Sequence, residues 1–300
     1  MCIRDRYCNL HKKNTRFLRC VKCSGKINLE IFIEVSEIRE GFLICTRCKE
    51  KYPIIDNVPI IMKSFVNYIQ FRPSLGGTLL SLSKSKTMKE FIKNKLSKIR
   101  KSYDDLSIIE KRWGKIYEQN INSKYYSKII QKSSKLPNSK FVLEHGSSIG
   151  IISKSLGEKH ENVFGIDLSY HAIHTAKKKS QSNVDFFVSD SLLHPFGKKK
   201  FDIVFALNML ELVEPIALLN IMFKQVKQGY IVISDPYDYE RGKNSVKKPL
   251  YENDIRKNIQ NLGMSIVHNT IRPSSLPWNL KINSRTSLNY NVDLVIAKKS

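Results

Sequence analysis

The stretch FVLEHGSSIG, residues 141–150, decides how the rest of the chain is read. It runs from four residues of strand character into a turn with two glycines. Gly146 lets the chain turn sharply at a strand end, and Gly150 lets a following helix pack close to the sheet. Ser148 is placed to cap that helix and Gly157 to stop it. A helix start presents free N–H groups and a positive dipole end, which suits a carboxylate or phosphate. Taken alone, G-x-x-x-G also describes a plain strand-to-helix turn, so its meaning depends on the residues C-terminal to it.

Downstream, short β-rich runs recur: NVFGID (162–167), VDFFVSD (184–190), FDIVFALNM (201–209), GYIVISD (229–235), SIVHNTI (265–271) and VDLVIAKK (292–299), with helical patterns between most of them. Such alternation predicts an α/β fold, a doubly wound and mostly parallel sheet with helices on both faces. The last two runs are joined only by residues 272–290, expected as a loop, which predicts a C-terminal antiparallel hairpin. Asp167 ends the second strand seventeen residues past Gly150, where a carboxylate can accept both hydroxyls of a ribose. Asp190 ends the third, followed by Pro195 and Phe196. Each acid alone is more often a helix cap; with Glu144 they form a series at successive strand ends.

These residues together resemble the class I S-adenosylmethionine-dependent methyltransferases over about residues 125–300, which implies a Rossmann-like sheet. The resemblance implies that Glu144, Gly146 and Gly150 hold the methionine part of the cofactor, Asp167 the ribose and Asp190 the adenine amine. The family's acid-x-Gly-x-Gly-x-Gly has become Glu-x-Gly-x-Ser-x-Gly, so Ser148 stands where the backbone approaches the ligand. Ser148 and Asn208, the latter at the end of the fourth strand, complete the expected cofactor-binding set. Asn208-Met209-Leu210 replaces the Asn-Pro-Pro-Tyr used in amide or base-amino methylation.

The front of the chain has a different character. Cys20-Val-Lys-Cys23 and Cys45-Thr-Arg-Cys48 form two C-x2-C knuckles separated by 21 residues. Four thiolates at tetrahedral corners suit Zn²⁺ in a closed structural site. Structural thiols or a disulfide are the alternatives. Cys8-Asn-Leu-His11 offers a weaker second set. With the following KYPIIDNVPIIM (51–62), this segment resembles the small zinc-ribbon activator that partners tRNA, ribosomal RNA and release-factor methyltransferases. The resemblance covers residues 17–63 and implies a ribbon that docks on its own methyltransferase domain. The expected division is a zinc-ribbon domain in 1–66, a basic helical segment in 67–136 and the methyltransferase domain in 137–300. MCIRDR at 1–6 fits nothing downstream and is read as an artefact.

A net charge of +24 invites a nucleic-acid partner, because cations that neutralise phosphates release counterions. Lys outnumbers Arg 38 to 13, however, and Lys without Arg forks gives little phosphate geometry. Residues 84–140 carry 16 Lys and Arg against 5 acids, with Met88, Phe91, Ile92, Leu96 and Ile99 on one helical face and Tyr125, Tyr126, Ile129 and Ile130 on another. Such faces ordinarily pack against their own domain. No apolar run reaches the ~18 residues of a membrane span, and a cytoplasmic location is expected.

Methyl transfer needs an in-line acceptor more than an acid–base pair. ISDPYDYERG (233–242) and LPWNLKINSR (276–285) are the expected acceptor loops, with Tyr237, Asp238 and Arg285 as candidate catalytic residues. The acceptor is a small molecule or RNA. The competing reading is a non-catalytic RNA- or protein-binding module with a degenerate pocket; a nicotinamide oxidoreductase is disfavoured by the missing G-x-G-x-x-G.

Overall fold

The computed structural model describes residues 12–35, 37–100, 104–178, 180–241 and 246–300. The expectations for residues 1–6 and for Cys8 and His11 fall outside the described residues. The chain divides into two compact units, one of residues 1–115, 148–150 and 166–197, the other of 116–147, 151–165 and 198–300.

The first unit begins with a short helix, α1 (Lys12–Thr15), and a four-stranded antiparallel sheet in the order β1 (Ile27–Glu34), β2 (Ile38–Cys45), β3 (Lys51–Ile55), β4 (Val58–Pro59). Asp56 and Asn57 both take positive φ, 46° and 69°, in the two-residue turn between β3 and β4, where such a pair matches the strand twist. After β4 the chain runs beside β7 (Val184–Val188). Ile60 bridges Val188 in parallel, the Ile61 N–H donates to the Val188 carbonyl at 2.8 Å, and the Ser189 hydroxyl donates to the Ile61 carbonyl. The Tyr170 hydroxyl, from α8 (Tyr170–Lys177), donates to the Ile55 carbonyl. The cysteine-bearing sheet thus covers an edge strand that would otherwise present unpaired backbone groups.

Three helices follow: α2 (Phe65–Gln70), α3 (Pro73–Leu82) and α4 (Lys86–Leu96). Ser64 and Ser85 cap α2 and α4 by accepting the Asn67 and Met88 N–H groups. Met88 and Ile92 are fully buried, and Phe91 packs edge-on against Phe42 with ring centroids 4.9 Å apart. The lysine-rich helix therefore packs on its own chain, as its apolar face predicts. Its regular turns stop at Leu96, so Ile99 lies beyond them.

α5 (Leu106–Gln119) runs from the first unit into the second, which continues with α6 (Lys124–Ser133), β5 (Val142–His145), α7 (Ile151–Gly157) and β6 (Val163–Asp167), whose last two residues return to the first unit. β8 (Phe201–Leu207), α9 (Pro215–Gln225), β9 (Val226–Asp235), α10 (Glu252–Asn261), β10 (Ser265–Ile266), β11 (Leu276–Lys281) and β12 (Ser287–Lys299) complete the fold. The sheet order is β10-β12-β9-β8-β5-β6-β7, with β11 paired to β12. β5 and β9 flank β8 in parallel, and β12 runs antiparallel to β9. The result is a mixed α/β fold with a mostly parallel sheet, as the strand pattern implies. Among the described residues no helix is long and apolar enough to cross a membrane.

Residues 272–290 are not a plain loop. Leu276, Trp278 and Leu280 face inward and alternate with exposed residues, giving a strand that pairs in register with an extended β12. At the base of this hairpin Arg256 grips Asp293 through two contacts, Nη1 to Oδ2 at 2.6 Å and Nη2 to Oδ1 at 3.1 Å, with both side chains almost fully buried. Tyr237 donates its hydroxyl to the same carboxylate, which the partners hold below its ordinary pKa against the effect of burial. Arg256→Ala is expected to lower stability by about 3–5 kcal/mol, because it leaves a buried carboxylate uncompensated. Urea unfolding monitored by circular dichroism measures it.

Candidate functional site

The four cysteines of the two knuckles converge. Their sulfurs lie within 4.8 Å of one another, with Cys20–Cys48 at 3.5 Å and Cys23–Cys45 at 3.4 Å. A tetrahedral Zn²⁺ with about 2.3 Å bonds spaces its sulfurs about 3.8 Å apart, so the donor set fits the ion in kind and in size. Burial opposes ionisation of Cys45, but the Cys48 and Arg47 N–H groups and the neighbouring thiols outweigh it and bring its pKa down to about 6. Cys48 has the Glu50 amide to lower it, yet desolvation and three adjacent thiols push it up to about 12. Four sulfurs this close resist full ionisation unless a cation joins them. Tyr52 steadies the set, its hydroxyl 3.1 Å from the Cys20 sulfur. Gly25 makes room for it: a Cβ there would lie 2.8 Å from the Cys45 sulfur.

The turn after β5 has its own constraints. Gly146, Ser148 and Gly150 all have positive φ, 64°, 47° and 77°. α7 starts at Ile151, so Ser148 does not cap it as the sequence suggested. Instead its backbone N–H donates to Oδ2 of Asp167 at 2.9 Å, while the Ser169 N–H donates to Oδ1 at 2.8 Å. Asp167 is thereby fixed at its strand end. Burial, against the two amides and Arg72, raises its pKa from the ordinary aspartate value. A Cβ on Gly150 would lie 2.5 Å from the Phe186 ring. In the other unit, one on Gly146 would lie 2.1 Å from the Met209 sulfur. Glu144 accepts the Ser153 hydroxyl. Among the described residues the Ser147 hydroxyl is buried with no hydrogen-bond partner, an orphan inside the turn that the glycine spacing did not single out.

Ser148 holds a left-handed conformation that disfavours any side chain by roughly 1–2 kcal/mol. Ser148→Gly relieves that strain and adds back about 0.5–1 kcal/mol of chain entropy, so a net gain near 0.5–1 kcal/mol is expected in thermal melts. Gly150→Ala is expected to lose 1–3 kcal/mol or more through the Phe186 contact.

Asp190 accepts the Leu192 N–H at 2.8 Å and lines a cleft in the first unit. At the ends of β8 and β9, Asn208 and Tyr237 also have positive φ, 55° and 56°. The Tyr125 hydroxyl lies 2.6 Å from that of Ser234 and donates to Oδ1 of Asn208 at 3.3 Å. Tyr125 adjoins fully buried Trp278 in a cluster with Tyr117, Tyr126 and Tyr290. Asp235 accepts the Leu210 and Tyr237 N–H groups. Burial and the Glu211 carboxylate nevertheless push its pKa up to about 8. A carboxyl whose folded pKa exceeds its unfolded value favours the folded state when protonated, so this contribution fades as pH rises from about 4 to about 8. Asp235→Asn is expected to flatten that decline in a pH series of denaturant midpoints.

The candidate catalytic residues are spread out. Tyr237 is committed to Asp293, and Asp238 is half-buried beside it in sequence. Arg285 is exposed in the turn between β11 and β12. Asp293 pairs with Asp235, and β12 begins six residues before it, about 20 Å of strand away. The structure therefore does not bring Arg285 to Tyr237. His145, inside the quoted stretch, is fully buried with its Nε2 2.7 Å from the Gln225 amide oxygen. Nothing in the spacing foretold the bidentate Arg72–Glu110 pair, whose closest contact is 2.6 Å.

Residues 143–233 match the family described as methyltransferase domain. No curated protein matches the chain by sequence. Among solved structures, the complex between the Haloferax volcanii Trm112 methyltransferase activator and its methyltransferase gives a chain 14% identical with a TM-score of 0.51, covering 63% of this chain and 96% of that one. Magnesium protoporphyrin IX methyltransferase from Synechocystis PCC 6803, with S-adenosylhomocysteine bound, is 18% identical with a TM-score of 0.47, covering 65% and 95%. A TehB-like S-adenosylmethionine-dependent methyltransferase from Corynebacterium glutamicum is 16% identical with a TM-score of 0.47, covering 64% and 99%. The protein carries a methyltransferase domain and is a methyltransferase.

Proposed function

We propose that this methyltransferase takes its methyl group from S-adenosylmethionine, bound at the 144–150 turn, and delivers it to a small molecule or RNA. In this reading Glu144, Gly146, Ser148 and Gly150 receive the methionine part, Asp167 the ribose hydroxyls and Asp190 the adenine amine, with Asn208 at the next strand end. The Ser147 hydroxyl, buried without a partner among the described residues, lies within that turn, where a polar ligand would satisfy it. When bound, the cofactor supplies an electrophilic methyl on a sulfonium. The chain's residues hold and orient.

The observation that carries the reading is the anchoring of Asp167 by the Ser148 N–H. A serine at this position would damage the site if it bent the backbone away. Here it keeps the left-handed turn of a glycine, which favours a working turn over a degenerate one.

Cys20, Cys23, Cys45 and Cys48 hold a structural Zn²⁺ in this account, within a ribbon domain spanning 1–66. A helical segment follows in 67–136 and the methyltransferase domain in 137–300. The ribbon along β7 is the built-in counterpart of a separate activator such as Trm112.

Incubation with methyl-labelled S-adenosylmethionine and either total RNA or a metabolite extract tests the proposal. Label is expected in one pool and absent with Asp167→Ala. Absence of label from both pools, together with no binding of the cofactor, would leave the chain without its proposed donor.

A further inference from the structure

A cleft of about 780 Å³ opens beside Asp190 in the first unit, within the size range of small-molecule sites. Much of its lining comes from outside the matched domain. Lys22 belongs to the first cysteine knuckle, Met62 and Lys63 to the strap leaving β4, Tyr68 to α2, and Phe71 caps that helix. Most of this wall is firmly held. The Ile61 N–H is tied to β7, and the Tyr68 hydroxyl donates to the Leu168 carbonyl at 2.8 Å, one residue past Asp167. The Arg72 guanidinium lies 4.5 Å from the centre of the Tyr68 ring and is itself clamped by Glu110.

Phe71 is the exception, left 49% exposed in the same cleft as the Asp190 carboxylate. Leu168, next to Asp167, is also more than a third exposed. A flat aromatic surface, apolar neighbours and one carboxylate suit a heterocycle that stacks on a ring and donates from an exocyclic amine.

We infer that the strap and α2 are part of the cofactor site: Phe71 stacks on the adenine of S-adenosylmethionine, Met62 adds apolar wall, and Asp190 accepts the amine. The inference rests on the donor proposed above. It gives the ribbon a direct role, since the strand that positions Met62 leaves the cysteine-bearing sheet. Folding of the ribbon then shapes cofactor affinity as well as stability.

Calorimetric titration of the zinc-loaded full chain with S-adenosylhomocysteine separates the two claims. Phe71→Ala is expected to weaken binding about tenfold or more, in line with the loss of one base–aromatic stack, at unchanged zinc content and melting temperature. Phe71→Tyr keeps the stacking face and is expected to stay near wild type. Met62→Ala should weaken binding less than Phe71→Ala. Wild-type binding with an unaltered Phe71→Ala constant overturns the inference and leaves the donor standing. No binding by the wild-type protein overturns the donor reading and the inference with it.

Discussion

Asp167→Asn is expected to weaken S-adenosylhomocysteine binding at least hundredfold while leaving the fold intact. Hydrogen bonds to a charged group each contribute about 1.5–3 kcal/mol, and a ribose presents two hydroxyls to this carboxylate. The substitution removes the charge and one acceptor. Oδ2 also receives the Ser148 N–H, so the same change loosens the turn that would hold the methionine end. A titration reports the affinity, and a thermal melt run in parallel separates it from general destabilisation. The raised pKa of Asp167 gives a second readout. Binding that needs the ionised carboxylate should weaken on acidification, starting at higher pH than an ordinary aspartate would allow. An unchanged constant in Asp167→Asn would remove the ribose assignment.

Cys45→Ser is the second large effect. A structural zinc site supplies roughly 10–16 kcal/mol of binding free energy, comparable with the about 5–15 kcal/mol that stabilises a whole domain. Cys45 is fully buried, with its sulfur beside that of Cys23 and accepting the Cys48 and Arg47 N–H groups. Its loss should release the ribbon, and the consequences reach further into the first unit. Ile55 accepts the Tyr170 hydroxyl, Asp56 lies 2.9 Å from His174, and Ile60 and Ile61 run along Val188. With those contacts gone, β7 becomes an open edge, and aggregation as well as a lower melting temperature is expected. Zinc content by mass spectrometry and hydrogen exchange at Val184–Val188 measure both ends of this chain of cause. A zinc-free variant with wild-type melting and exchange would make the cysteines ordinary structural thiols.

The parts of this account that were legible in the sequence are those whose signal is local. Runs such as VDFFV and FDIVF declare buried strands by composition, and two C-x2-C pairs declare a shared ligand geometry. β11 was hidden for a physical reason. LPWNLK alternates buried and exposed residues as a strand should, but its outward positions include Pro277 and Asn279, residues that ordinarily mark turns. Ser148 misled in the same way: a good capping residue near a helix start reads as a cap, whereas the backbone needed a left-handed residue there. The pairing of Arg72 with Glu110, 38 residues apart, leaves no periodic trace. Neither does the course of the strap along β7, which places ribbon residues beside Asp190.

The most direct test of the central claim is a crystal structure of the chain grown with S-adenosylhomocysteine. The account predicts ribose hydroxyls on Asp167, the ligand's amino-acid end against Gly146 and Ser147, and adenine beside Asp190. Crystals grown at saturating ligand that show the turn closed by the Ser148 side chain, with the ligand elsewhere or absent, would contradict it.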